Sequence, residues 1–122
     1  MEKLNTHQIE ELLFFEKNSD EQIIKPMIDM LEQQISYMIP EMRYKLALKD
    51  HNRLSQIAHS LKSSALQLGL QKVADICLTL ETEGRRNFEY PFEQLIFDLE
   101  IELRESITEL AEYLNKSQQI AS

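Results

Sequence analysis

The chain has 122 residues, of which 43% are apolar and 28% are charged, and this balance favours one soluble globular domain over a disordered segment. Its formal net charge of −8 opposes binding to nucleic acid or to an anionic membrane surface. The lone cysteine, Cys77, excludes an internal disulfide, and no apolar run is long enough to span a membrane. Because the start also lacks a signal-peptide pattern, we expect residues 1–122 to form a single cytoplasmic domain.

The N-terminal part of the chain predicts a short helix followed by a turn. Residues 6–17 carry apolar side chains at helical spacing, and Asn5 or Thr6 is suited to cap the first turn. Ser19, with Gln22 three residues later, matches the capping-box pattern. We therefore expect a second helix to begin soon after Ser19.

The second predicted helix is long. Apolar residues recur in steps of three and four from Ile24 to Leu46, and these steps keep their phase across Pro40. A break in the helix would normally reset that phase. We therefore expect one helix that is kinked between Ser36 and Pro40, with Pro26 in or near an early turn.

Glycine and proline divide the C-terminal half of the chain into three further helices. The third is expected to begin near residue 50 and to end at Gly69, a residue suited to a left-handed stop. The fourth follows over about residues 70–82, with Gly84 as its terminator. The fifth is expected to start at Pro91, since proline suits the first turn of a helix.

These elements predict an all-α protein. No segment alternates apolar and polar residues with a period of two, and no hairpin dipeptide occurs. Long helices with short connections pack as antiparallel neighbours. We therefore expect an up-down-up-down four-helix bundle, covered by the additional N-terminal helix. The polar tail, residues 115–122, is expected to fray.

The third helix presents one apolar stripe and one polar flank. At about 100° per residue, the apolar side chains fall within a stripe roughly 100° wide. They are Leu54, Ile57, Ala58, Leu61, Ala65 and Leu68. On the same count, His59 lies about 140° away from Leu54, so its ring should be exposed. Ser55, Lys62 and Leu66 lie on the same flank as His59.

An exposed imidazole on a helix can act as a nucleophile. A free imidazole is mostly neutral at pH 7, and one of its ring nitrogens then carries a lone pair. Lys62, three residues after His59, is a helix-surface neighbour whose ammonium could balance part of the charge of a phosphate. Exposed histidines on helices are common, however, so periodicity alone indicates exposure of His59 and not its phosphorylation.

The stretch that contains His59 carries a more specific pattern. From Ala58 to Glu81 the sequence reads AHSLKSSALQLGLQKVADICLTLE, and Gly84 and two arginines follow. This stretch resembles the signature of histidine phosphotransfer (HPt) domains. The shared features are an Ala-His pair, Leu and Lys two and three residues later, a small pair, and Gly ten residues after the His. The motif, residues 58–86, also resembles that of stand-alone phosphorelay intermediates such as the yeast one.

The resemblance implies a role for each residue that matches the signature. His59 would be the phosphoryl acceptor, and Lys62 would be the cation beside it. Gly69 would keep the neighbouring surface low enough for a partner to approach, although it serves equally well as a helix stop. Ser63 and Ser64 would be the small pair, and many family members have Gly in place of Ser63.

The helix after Gly69 supplies both core residues and residues near the acceptor. Cys77 falls on the apolar stripe and is expected to lie in the core without a redox role. By resemblance, Glu81 and Arg85 lie on the flank near the histidine, although both could equally be solvated surface residues. We expect a docking surface for partner proteins on the flank of the third helix, together with the facing part of the second or fourth helix. Its residues on the third helix are Ser55, His59, Lys62, Ser63, Leu66 and Gln67.

The resemblance implies a phosphoryl carrier and not an enzyme. The chain contains no glycine-rich nucleotide loop and no kinase motif. Its partners would be receiver domains of response regulators or of hybrid sensor histidine kinases. The partner would supply the acceptor aspartate and the Mg²⁺, so that the chain needs no cofactor of its own. We expect a monomer.

Two other classes of function compete with this hypothesis. A helical interaction module or inhibitor could use the same scaffold without phosphorylation, and it would not need His59. A metal-binding bundle would need inward carboxylates with Glu-x-x-His repeats, or histidine and cysteine residues at ligand spacing. Neither pattern occurs in the sequence, so we expect no metal site.

Overall fold

Five α-helices make up the part of the chain that the structure, a computed structural model, describes. That part comprises residues 2–86 and 89–121, with side chains up to residue 117 in the last helix. The helices are α1 (Thr6–Lys17), α2 (Ile24–Ala47), α3 (His51–Gln67), α4 (Gln71–Arg86) and α5 (Phe92–Ala121). No strand occurs among the described residues, and the predicted all-α class is confirmed.

Helices α2 to α5 form the bundle, and α1 covers one end of it. Each of the four helices packs against the next in chain order, and α5 closes the ring against α2. The most extensive of these contacts joins α3 and α4. On α1, Ile9 is fully buried, so this helix caps the core instead of standing apart. The predicted four-helix bundle with an N-terminal covering helix is confirmed.

The N-terminal segment is tied to the loop between α3 and α4. Asn5 caps α1 by accepting a hydrogen bond from the backbone N–H of Gln8, as the sequence predicts. The backbone N–H of Asn5 also donates to the carbonyl oxygen of Gly69 at 2.7 Å. Gly69 has a φ of +72°, and a Cβ there would lie 2.8 Å from both the Asn5 oxygen and Ile9 Cγ1. Glycine is therefore required here for two reasons: it ends α3 in the left-handed conformation, and it leaves room for α1 to pack against it.

The start of α2 differs from the predicted capping box. The backbone N–H groups of Ile23 and Ile24 donate to Glu16 Oε2 at 2.8 and 2.9 Å. The Ser19 hydroxyl instead accepts from the backbone N–H of Glu21 in the preceding turn. A carboxylate from the end of α1 thus caps α2, because anionic groups are favourable at a helix N-terminus. The prediction of a Ser19 capping box is wrong.

One predicted helix end is also wrong, while one predicted continuity is confirmed. Helix α2 runs without interruption past Pro40, as the unbroken phase of its apolar residues predicts. Gly84 lies inside α4 and is buried against α3, so it does not terminate the helix. Helix α5 runs to Ala121 and so includes most of the polar tail, whose fraying stays a prediction; Ser122 lies outside the described residues.

Candidate functional site

His59 lies on the outer face of α3, about midway along the helix. Its neighbours on the opposite face, Ala58 and Leu61, are completely buried in the core. Asp50 caps the helix by accepting from the backbone N–H of Arg53, which fixes where α3 begins. The His59 side chain is 57% exposed, so the exposure predicted from its angle on the helix is confirmed.

A buried carboxylate from α4 holds the His59 ring. Glu81 is only 5% exposed, and its Oε2 lies 2.7 Å from His59 Nδ1. Lys62 Nζ donates to the other carboxylate oxygen at 2.6 Å, and Arg85 Nη2 donates to Oε2 at 2.9 Å. The structure therefore brings His59, Lys62, Glu81 and Arg85 into one cluster, with Glu81 as the shared acceptor.

The surroundings of Glu81 keep its carboxyl group ionised. Burial raises the pKa of Glu81, but the hydrogen bonds and charges of Lys62 and His59 together lower it by more. The net result is a pKa below the ordinary value of a glutamate. A buried carboxylate of this kind is tolerated because each of its oxygens accepts from a positive or polar donor.

The ionised carboxylate determines which nitrogen of His59 carries the proton. A carboxylate only accepts hydrogen bonds, so Nδ1 must be the donor across the 2.7 Å contact with Glu81. In the neutral ring the lone pair is then on Nε2, at the opposite edge from Glu81. Since the side chain is more than half exposed, the arrangement directs a nucleophilic nitrogen outward. It is the arrangement that a phosphoryl acceptor needs.

Cys77 is one turn before Glu81 and is unsuited to chemistry. Its side chain is fully buried, and burial raises the pKa of the Cys77 thiol to about 12. The thiol therefore stays protonated and unreactive at neutral pH. The prediction that Cys77 belongs to the core is confirmed.

Ser55 does not belong to the predicted docking surface. It is one helical turn before His59, yet it is only 1% exposed and faces α4. Its hydroxyl donates to the backbone carbonyl oxygen of Glu81 at 2.7 Å. The prediction that Ser55 lies on an accessible surface is wrong, because α4 covers this edge of α3.

Of the remaining predicted docking residues, His59, Ser63, Leu66 and Gln67 are exposed, whereas the Lys62 side chain is only 20% exposed and Gly69 is buried. Leu66 is 44% exposed, and both Ser63 and Gln67 are exposed as well. The Ser63 hydroxyl donates to the carbonyl oxygen of His59 at 3.3 Å, within the same helix. Gly69 is buried beneath α1, so the predicted low surface for a partner at this glycine is wrong.

The central role of Glu81 and the position of Gly84 were not predicted from the sequence. The signal that could have shown them is the spacing of the buried face of α4. Val73 and Cys77 lie on that face, and Glu81 and Gly84 follow at the same helical spacing. A charged residue on a buried stripe needs a partner, and its partners here are the side chains around His59.

Among the residues that the structure describes, no group of three or more histidine, cysteine, aspartate or glutamate side chains could hold a metal ion. Outside residues 87–88 and the two chain termini, no helix is both long and apolar enough to cross a lipid bilayer.

Comparison with known proteins assigns the family. No curated protein matches the chain in sequence. A solved histidine-containing phosphotransfer protein from rice has a similar fold, with a TM-score of 0.76 and 16% sequence identity. The similarity covers 97% of this chain and 85% of the rice protein, and at that identity it shows the fold alone. The profile of the Hpt domain matches residues 26–113, which is most of the chain. The chain belongs to the Hpt domain family.

Proposed function

We propose that the chain is a phosphorelay intermediate that carries a phosphoryl group on Nε2 of His59. Membership of the Hpt domain family supports a histidine phosphotransfer role. The observation that carries the choice of His59 is its contact with Glu81. In the neutral ring, the hydrogen bond from Nδ1 to the buried carboxylate places the lone pair on Nε2, on a side chain that is 57% exposed.

The transfer step follows from this geometry. The lone pair of His59 Nε2 attacks the phosphorus of an aspartyl phosphate on the partner. The N–P bond forms while the bond between phosphorus and the aspartate oxygen breaks, and the aspartate leaves as a carboxylate. No proton has to leave Nε2, because the ring proton is already on Nδ1. The reverse step returns the phosphoryl group to an aspartate, so the same site accepts and donates.

The residues around the ring stabilise the phosphorylated state. A ring that keeps its proton on Nδ1 and gains phosphorus on Nε2 carries a positive charge, which the ionised Glu81 balances. Lys62 and Arg85 already lie at 2.6 and 2.9 Å from that carboxylate and can also attract the new phosphate oxygens. Phosphoryl transfer depends mainly on such positioning and charge neutralisation.

The proposed partners are receiver domains of response regulators or hybrid sensor histidine kinases. The partner would supply the aspartate and the Mg²⁺, whereas this chain would supply the imidazole, the cations and a docking surface. We place that surface on the residues beside His59, namely the partly buried Lys62 and the exposed Ser63, Leu66 and Gln67. A protein in this role acts as a carrier in the cytoplasm, as a monomer, and does not hydrolyse or bind ATP.

Label transfer from a receiver domain tests the proposal. A purified receiver held as its labelled aspartyl phosphate would be mixed with the chain and Mg²⁺. We expect the wild type to gain acid-labile, base-stable label and His59→Gln to gain none. His7→Gln is the matched control, because His7 is a surface histidine paired with Glu11 on α1 and away from the cluster.

Two results would contradict the proposal. Absence of label on the wild type with several receivers would favour a non-phosphorylated interaction module. Label that persists on His59→Gln would mean that the acceptor is another residue, and His51 and His7 would be tested next.

A further inference from the structure

Helices α3 and α4 come unusually close one helical turn away from the His59 ring. Gly84 of α4 lies directly against the backbone of α3. A Cβ added at Gly84 would lie 3.1 Å from the carbonyl oxygen of His51 and 3.2 Å from Ser55 Cβ. The two helices therefore touch here without an intervening side chain from α4.

Ser55 fixes this contact with a hydrogen bond between the helices. Its hydroxyl donates to the backbone carbonyl oxygen of Glu81 at 2.7 Å, and the residue is 1% exposed. The bond ends on the same residue whose carboxylate holds the His59 ring. The position of the Glu81 main chain is thus tied to α3 independently of its side chain.

The spacing along each helix connects this contact to the ring. Ser55 and His59 are four residues apart on α3, and Glu81 and Gly84 are three apart on α4, so each pair spans one turn. We propose that the Ser55–Gly84 contact sets the separation of α3 and α4 at the site and that both are positioning residues for the phosphoryl acceptor. This inference rests on the proposed function of His59.

The two residues can be perturbed in different ways. Gly84→Ala adds a methyl group where the nearest atoms are the carbonyl oxygen of His51 and Cβ of Ser55, so α4 has to move outward by a few tenths of an ångström. Ser55→Ala removes only the hydrogen bond to Glu81 and adds no bulk. Both changes should loosen the contact between Glu81 Oε2 and His59 Nδ1, so that the neutral ring no longer keeps its proton on Nδ1 alone.

Phosphorylation by a small donor measures the effect without a partner protein. The full chain would be treated with phosphoramidate, and the rate of His59 phosphorylation followed in the wild type and each variant. Nitrogen NMR of the His59 ring would report which nitrogen carries the proton. Ser106→Ala is the matched control, since Ser106 is also a buried serine with a 2.7 Å bond to a glutamate, Glu102, at a different place.

We expect the phosphorylation rate to fall about tenfold in Gly84→Ala and severalfold in Ser55→Ala, because small displacements in a site have large effects on rate. The ring signal should shift from one tautomer to a mixture in both, while Ser106→Ala matches the wild type in rate and tautomer. If Gly84→Ala does not fold in urea titrations, Ser55→Ala decides the test. Wild-type rate and tautomer in Ser55→Ala would overturn the inference. A wild type that phosphoramidate does not label would instead count against the proposed function.

Discussion

Among the residues that the structure describes, two buried glutamates are alike in burial and charge but differ in the donors that surround them. Glu81 and Glu102 are each 5% exposed, and each lies within reach of two cationic side chains in addition to other donors. Burial raises the pKa of both carboxyl groups, and the hydrogen bonds they accept lower it by more, so both stay ionised. By burial and ionisation alone, the two sites cannot be told apart.

The difference lies in the donors. Glu102 accepts from the Ser106 hydroxyl at 2.7 Å and pairs with Lys72 at 3.1 Å and Lys3 at 3.5 Å, which ties the N-terminal segment and α4 to α5. Glu81 accepts from an imidazole that has a second ring nitrogen and whose side chain is 57% exposed. A buried carboxylate whose oxygens all accept hydrogen bonds is therefore, by itself, only a structural feature. It can contribute to a reaction when one of its donors, such as an imidazole, carries a second, reactive atom.

Removing each carboxylate charge is the strongest way to test this comparison. Glu81→Gln should lower the rate of His59 phosphorylation by phosphoramidate about 10- to 100-fold, because the ring loses the anion that orients it and balances its charge. Glu102→Gln should leave that rate unchanged and lower the free energy of unfolding by about 1–2 kcal/mol, since its lysine partners are partly exposed. Rates and urea titrations would be measured on both variants. Equal rates in the two would mean that Glu81 is only a structural anchor.

The sequence predicted the helices and the exposed histidine because both depend on local periodicity. The recurrence of apolar residues every three or four positions places the core stripe of α3, and the exposure of His59 follows from its angle to Leu54. The αL stop at Gly69 is equally local, and the structure has it with a φ of +72°. None of these predictions required knowledge of which helix packs against which.

The errors concern contacts between helices. Ser55 lies at the edge of the α3 stripe, and only the approach of α4 determines that this edge is covered. Because glycine disfavours helices, local reasoning places a helix end at Gly84, whereas close packing against α3 explains the residue. Glu16 caps α2 from the preceding helix, which a search for local capping residues does not find. Tertiary contacts decide all three.

The lysines beside the two glutamates provide the next test. Lys62→Met should lower the phosphorylation rate about tenfold, because it removes a cation that lies 2.6 Å from Glu81 and next to the acceptor ring. Lys72→Met removes the equivalent cation from Glu102 and should leave the rate unchanged. Phosphoramidate labelling of both variants measures the difference. Lys62→Arg keeps the charge and should have a rate between those of Lys62→Met and the wild type. A rate as low as that of Lys62→Met would indicate that the size and shape of lysine matter more than its charge.

A substitution at Leu66 should affect the docking of a partner protein but not the phosphorylation of His59 by a small donor. We expect Leu66→Asp to slow transfer from a receiver domain about fivefold, as loss of one apolar contact at an interface typically does, without changing phosphoramidate labelling. Ile101→Asp is a matched control, since Ile101 is 42% exposed against 44% for Leu66 but lies on α5, which packs mainly against α2 and α4. If both variants slow transfer alike, the docking surface is not centred on His59.

The smallest predicted effect is a pH dependence of stability, which Glu81 and Glu102 should share. Each has a lowered pKa in the folded protein, so each contributes stability that is complete above the ordinary glutamate pKa of about 4.3 and is lost as the pH falls through the folded-state value. The free energy of unfolding should therefore decrease on acidification below about pH 4, with a slope of at most about 1.4 kcal/mol per pH unit for each group. Urea titrations between pH 3 and pH 6 should show a flatter slope for Glu81→Gln and for Glu102→Gln. The two variants should therefore show the same change in slope but different phosphorylation rates. A slope that changes in only one variant would mean that the pKa values of the two carboxyl groups differ in the folded protein.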